Sequence, residues 1–175
     1  MTTDPRSVVQ GSMRLLEQLE DKIPGFRGYK EKELRRQSDR LLREMLARQY
    51  QDQKNRIGEA QNALMAAGKI EGMSRLETAN LKLQLLIDHL KTGATGYAGL
   101  FDAVKIKEAE LDRVYQFDMQ LGQGVERIKG IIDQITTMAA QGQDPGPVVN
   151  GLVAAAEDLN RTWSHRVDAM IGLAY

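Results

Sequence analysis

The chain has 175 residues, a formal net charge of zero, and 42% hydrophobic and 27% charged side chains, the proportions of an ordinary globular protein able to bury one sizeable core. It holds no cysteine, which excludes disulfides, thiolate metal sites and cysteine nucleophiles and fits a reducing, cytoplasmic setting. No apolar run approaches the ~20 residues that span a bilayer, the start lacks a signal-peptide layout, and alternating β-branched runs are too sparse for a sheet.

The first predicted helix covers about residues 5–22. Asp4 caps it, Pro5 takes a first-turn position that needs no amide donor, and Val8, Leu15, Leu16 and Leu19 give it an apolar face. Ile23-Pro24-Gly25 ends it, and Phe26 and Tyr29 are expected to pin the following elbow. A second helix is expected over about residues 30–67, on the order of 55 Å at ~1.5 Å per residue. Leu34, Leu41 and Met45 mark one stripe on it; Leu46, Tyr50, Ile57, Ala60 and Leu64 mark another, displaced by one residue. Between Ala47 and Ile57 the sequence is almost entirely polar, so that stretch is expected to project beyond the core or lie along its edge. Gly68 ends or kinks the helix.

The third helix, about residues 70–91, carries a seam of Met73, Leu76, Asn80, Leu83, Ile87 and Leu90 at alternating steps of three and four. Thr92 to Gly99 form a glycine-rich corner with Gly93 as C-cap, and Leu100, Phe101, Val104 and Ile106 suit a docked loop or one helical turn. The fourth helix, about residues 108–141, continues the pattern through Leu111, Val114, Asp118, Leu121, Val125, Ile128, Ile132, Ile135 and Ala139. Gly142 to Pro147 break it. The fifth, about residues 148–174, places Val149, Leu152, Ala156, Leu159, Trp163, Met170 and Leu173 on one side. The pattern predicts an all-α fold in a single domain over 1–175: an elongated four- or five-helix bundle. Its base is a long antiparallel, coiled-coil-like hairpin of the third and fourth helices.

Motifs for chemistry are scarce. Bundle di-iron sites use Glu-x-x-His pairs, but Leu86 precedes His89 by three residues and Thr162 precedes His165. Ser164 and His165 are adjacent, so on a helix they point about 100° apart and make no dyad. The glycine-rich corner lacks the Gly-Lys-Ser/Thr ending of a phosphate loop. No catalytic, metal or cofactor residue is assigned, and the chain is expected to be no enzyme.

Two features remain. Asn80 and Asp118 interrupt the seams at positions suited to aliphatics, where a polar group fixes helix register and needs a partner; Arg166, on or beside the seam of the fifth helix, suits Asp118. Lys32, Arg36, Arg40 and Arg43 form a basic stripe near i, i+4 spacing, a candidate contact for an anion or a partner. Interleaved Glu31, Glu33, Asp39 and Glu44 favour a solvated or intersubunit face, with an anionic membrane surface and nucleic acid as the lesser readings. Positive charge is concentrated in residues 27–56 and negative charge in the later helices, an asymmetry suited to self-association. The expected function is a non-enzymatic structural or protein-interaction bundle, a homo-oligomer or an adaptor for another helical protein. The alternative is a peripheral binder of anionic surfaces.

Overall fold

Among the described residues, four α-helices form where apolar spacing and chain breakers allow them. The computed structural model describes residues 32–93 and 108–171, with the side chains of 32–38, 108–112, 115 and 171 outside that description. The helices are α1 (Lys32–Ala66), α2 (Met73–Thr92), α3 (Glu108–Ala140) and α4 (Gly146–Ile171), with a 3-10 turn, Ile70–Gly72, before α2. The helix expected over 5–22, the elbow after it and the loop from Leu100 to Ile106 lie outside the described residues.

Glycine stops two of the helices. Gly68 and Gly142 have φ of 69° and 71°, left-handed values that glycine reaches without a Cβ clash. Around each, two amides fold back onto orphan carbonyls. Lys69 N–H donates to Leu64 O at 2.9 Å and Gly68 N–H to Met65 O at 3.0 Å; Gln143 N–H donates to Met138 O at 2.9 Å and Gly142 N–H to Ala139 O at 3.1 Å. Both are Schellman caps. Gly93 closes α2 differently, in right-handed backbone, its amide donating to the His89 carbonyl. α4 starts earlier than expected. Asp144 Oδ1 accepts the Gly146 amide at 3.0 Å, and Pro145 and Pro147 fall in the first turn, where a missing donor costs nothing.

The extensive packing closes a ring in the order α1, α2, α4, α3. Arg43 reaching Leu90 and Leu64 lying over Gly72 make α1 and α2 antiparallel. Arg127–Asp158 and Asp118–Arg166 do the same for α3 and α4. Tyr50–Leu121 and Arg56–Asp133 set α1 and α3 parallel, and Lys82–Glu157 with Val149 beside Gly72 set α2 parallel to α4. The third and fourth predicted helices, α2 and α3, therefore lie across a diagonal rather than side by side, correcting the expected hairpin. Short turns force α1 onto α2 and α3 onto α4; residues 93–107 leave enough chain to cross between the two hairpins.

One apolar core runs through all four helices, from Leu42, Leu46 and Tyr50 through Leu83 and Ile87 to Leu121, Ile128, Leu152 and Trp163. The polar stretch between Ala47 and Ile57 does not project beyond it. Tyr50 is fully buried and donates its hydroxyl to the Leu121 carbonyl at 2.5 Å. A Cβ at Gly124 would collide with Leu159 and the Tyr50 hydroxyl, so a bare backbone at Gly124 makes room for the ring. Arg56 closes the other end of the stretch by pairing with Asp133. A smaller cluster of Val114, Ala169 and Met170, with Phe117 against it, lies towards the other end of α3 and α4.

Candidate functional site

Between the main core and that small cluster sits the densest chemistry among the described residues. Asp39 and Arg43 come from α1, four residues apart and on the same stripe as Leu42 and Leu46. Asp118 comes from α3 and Arg166 from α4, and all four side chains are buried. Arg166 is the hub. Its Nε donates to Asp118 Oδ1 at 2.5 Å, its Nη2 to Asp39 Oδ1 at 2.5 Å and to Asp118 Oδ2 at 3.4 Å, and its Nη1 to the Met170 sulfur at 3.0 Å. Trp163 packs against the guanidinium, 5.3 Å from its ring centroid, adding a cation–π contact.

Arg43 completes the cluster. Its Nε donates to Asp39 Oδ2 at 2.8 Å and its Nη1 to the Leu90 carbonyl at 2.8 Å. Leu90 lies in the last turn of α2, where carbonyls lack intrahelical partners and a cation complements the helix dipole. The cluster thus joins all four helices, balancing two guanidinium charges against two carboxylates. Burying ions is costly unless each is paired and hydrogen-bonded. The fork of arginine supplies enough donors to meet that condition.

The two carboxylates are not equivalent. Burial works to raise Asp39, but Arg166 and Arg43 outweigh it and hold its carboxyl below the ordinary value of 3.8. Asp118 moves the other way: burial raises it, the nearby Asp39 charge adds to that, and Arg166 opposes both. Arg166 itself is raised: burial disfavours its charge, and Asp118 and Asp39 more than compensate. One carboxylate has two cations and the other shares one, which accounts for the split.

The structure therefore brings Asp118 and Arg166 together and adds Asp39 and Arg43, which the sequence had suggested for an outer face, Arg43 in the basic stripe and Asp39 among the acids interleaved with it. Arg43 is a correction: it is buried and committed to internal acceptors. Arg40 stays exposed and pairs with Glu44 at 2.8 Å, while the Lys32 and Arg36 side chains lie outside the described residues. Asn80 is a second correction, half-buried at the flank of α2 while Ala79 takes the core position. A helix of 3.6 residues per turn drifts against a strict 3.5 repeat, so the inward face moves off a heptad position. A signal for Asp39 and Arg43 was present: Asp39 precedes Leu46 by seven residues, and Arg43 precedes Leu46 by three and Tyr50 by seven, spacings that return to one face of a helix.

The arrangement can clamp helices and hold charge, but every guanidinium and carboxylate in it is already engaged. Among the described residues no group of three or more His, Cys, Asp or Glu side chains could hold a metal ion. His89 is half-buried on α2, and His165 is exposed on α4 with its ring centroid 6.1 Å from that of Phe117. Among the described residues, no helix is long and apolar enough to cross a membrane. Comparison with family models, characterised proteins and solved structures returned no match for this chain.

Proposed function

We propose that the chain is a non-enzymatic structural or protein-interaction module of the cytoplasm that self-assembles, or docks on another helical protein, through coiled-coil-like helix pairing. The observation that carries this reading is a contrast between inside and outside. The buried ions Asp39, Arg43, Asp118 and Arg166 are satisfied by one another and by backbone, which leaves them no capacity for turnover. Large apolar side chains meanwhile stand on the outside of the helices, including Leu81 and Leu85 on α2. Apolar side chains left outside a closed core support a reading in which the chain meets another protein.

A concentration series in sedimentation velocity, backed by light scattering, tests this. Dimers or higher assemblies growing with concentration are expected. A particle of monomer mass at every concentration, with no binding of a dye specific for apolar surface, overturns the reading. The anionic-surface alternative keeps Arg40 as its described exposed contributor and is tested by liposome flotation and a salt-titrated duplex assay.

A further inference from the structure

Among the described residues, the hydrogen bonds of the Asp39, Arg43, Asp118 and Arg166 side chains lie inside one hairpin or the other, with a single exception. Arg43 holds Asp39 on its own helix and the Leu90 carbonyl of α2, both within α1–α2. Arg166 holds Asp118 of α3 and Met170 of α4, both within α3–α4. Only the bond from Arg166 Nη2 to Asp39 Oδ1 crosses between the hairpins, and it runs along a diagonal of the ring. Once that bond is broken, each hairpin keeps one cation and one carboxylate already bonded together, so no lone charge is left behind. The freed guanidinium can turn fully onto Asp118, whose Oδ2 stands 3.4 Å from the same Nη2, and a two-pronged pair replaces the bridge. The small apolar cluster moves with α3 and α4, because Val114, Phe117, Ala169 and Met170 all belong to them.

From the middle of the bundle to the two turns, the hairpins are tied differently. Tyr50 to Leu121, Arg56 to Asp133, Lys82 to Glu157 and Asn160 to the Lys82 carbonyl all cross between them. Ile57, Leu64, Ile132 and Leu152 are fully buried in the same region. Parting the hairpins there would expose aliphatic surface with no compensation. At the ionic layer, water that enters restores hydration which burial withheld from four charged groups. We propose that the ionic layer is the opening end of the molecule, where the α1–α2 and α3–α4 hairpins part about the aliphatic half as a fixed hinge, under control of the Arg166–Asp39 bond. Opening uncovers Leu42, Leu90 and Trp163, all buried in the closed bundle, and so makes an apolar surface that the closed form lacks.

The test measures distances between spin labels in the full chain, which has no cysteine of its own to interfere. Arg40→Cys with Gln116→Cys places labels on α1 and α3 at the ionic end, and Met65→Cys with Ala140→Cys places them on the same helices at the turn end, all four positions being exposed. The ionic-end pair is expected to show a second, longer distance in about 5–10% of molecules, and the turn-end pair one distance only. Arg166→Lys keeps the charge but lacks the fork that holds Asp39 and Asp118 together. It is expected to raise the share of the longer distance at least about threefold, with the turn end unchanged. Should that variant fail to fold, the comparison of the two ends in the otherwise native chain decides alone. One distance at the ionic end overturns the proposal. A longer distance at both ends shows the hairpins separating as a whole, and overturns the hinge. A folded Arg166→Lys chain with an unchanged ionic-end distribution overturns control by the Arg166–Asp39 bond.

Discussion

Arg166 carries its charge where water is excluded, and its neighbours replace the hydration it gives up: two carboxylates, a sulfur and the Trp163 ring. Removing one anion unbalances the set. Asp118→Leu would suit a heptad seam viewed alone, yet here it leaves two buried guanidinium groups facing Asp39. We expect a loss of about 3–5 kcal/mol in urea unfolding, and part of it should return on adding Arg166→Met, which leaves Asp39 and Arg43 as a balanced pair. Acid acts on the two carboxylates with opposite sign. Asp39, lowered in the folded state, contributes stability above the ordinary value of 3.8 that is lost as pH falls through its folded value. Asp118, raised in the folded state, contributes below 3.8, and that contribution is lost as pH rises through its folded value. Asp39→Asn should therefore flatten the acid limb of a stability–pH curve. Asp118→Asn should remove the gain that appears on acidifying from neutrality towards that limb. Unfolding midpoints measured across the carboxylate range check both. Asp118 and Arg166 were legible as partners from their seam positions; Asp39 and Arg43 were obscured because charged side chains at i, i+4 pair equally well on a solvated face.

At the scale of the helix, ends were easier to read than faces. Gly68 and Gly142 stop α1 and α3 through backbone geometry alone, a local property that sequence expresses directly. Gly68→Ala and Gly142→Ala should each cost about 1–2 kcal/mol, the penalty for a left-handed side-chain-bearing residue, observed as a lower midpoint in thermal or urea unfolding. Asp144→Ala should cost about 1 kcal/mol by removing the cap of α4. The polar stretch of α1 was misleading for a different reason. A single Tyr50 with a bare-backbone Gly124 opposite anchors it in the core, and that complementarity involves residues 74 positions apart. Gly124→Ala should cost about 1–3 kcal/mol through overpacking against Leu159 and Tyr50.

Over the whole molecule, like-directed helices of different hairpins pack together, α1 on α3 and α2 on α4. The main core is shared by the two hairpins, because Leu46, Leu83, Ile128 and Leu152 belong to one cluster. Unfolding of the described bundle should be a single cooperative transition. Ile128→Ala should lower its stability by about 2–5 kcal/mol, and hydrogen exchange should quicken together in α1–α2 and α3–α4. Faster exchange in α3–α4 alone would mean that the hairpins unfold independently.

Apolar spacing, glycine and proline placement and the lack of cysteine were enough to determine an all-α bundle, its four described helices and most of their inward aliphatics, because these follow from short-range periodicity. Pairing was decided by tertiary structure. The diagonal placement of α2 and α3, the entry of Tyr50 into the core and the inward turn of Asp39 and Arg43 all depend on which helix lies opposite. That choice is set by burying a continuous apolar surface while satisfying every buried ion, a condition on four helices at once that no single stretch of sequence contains.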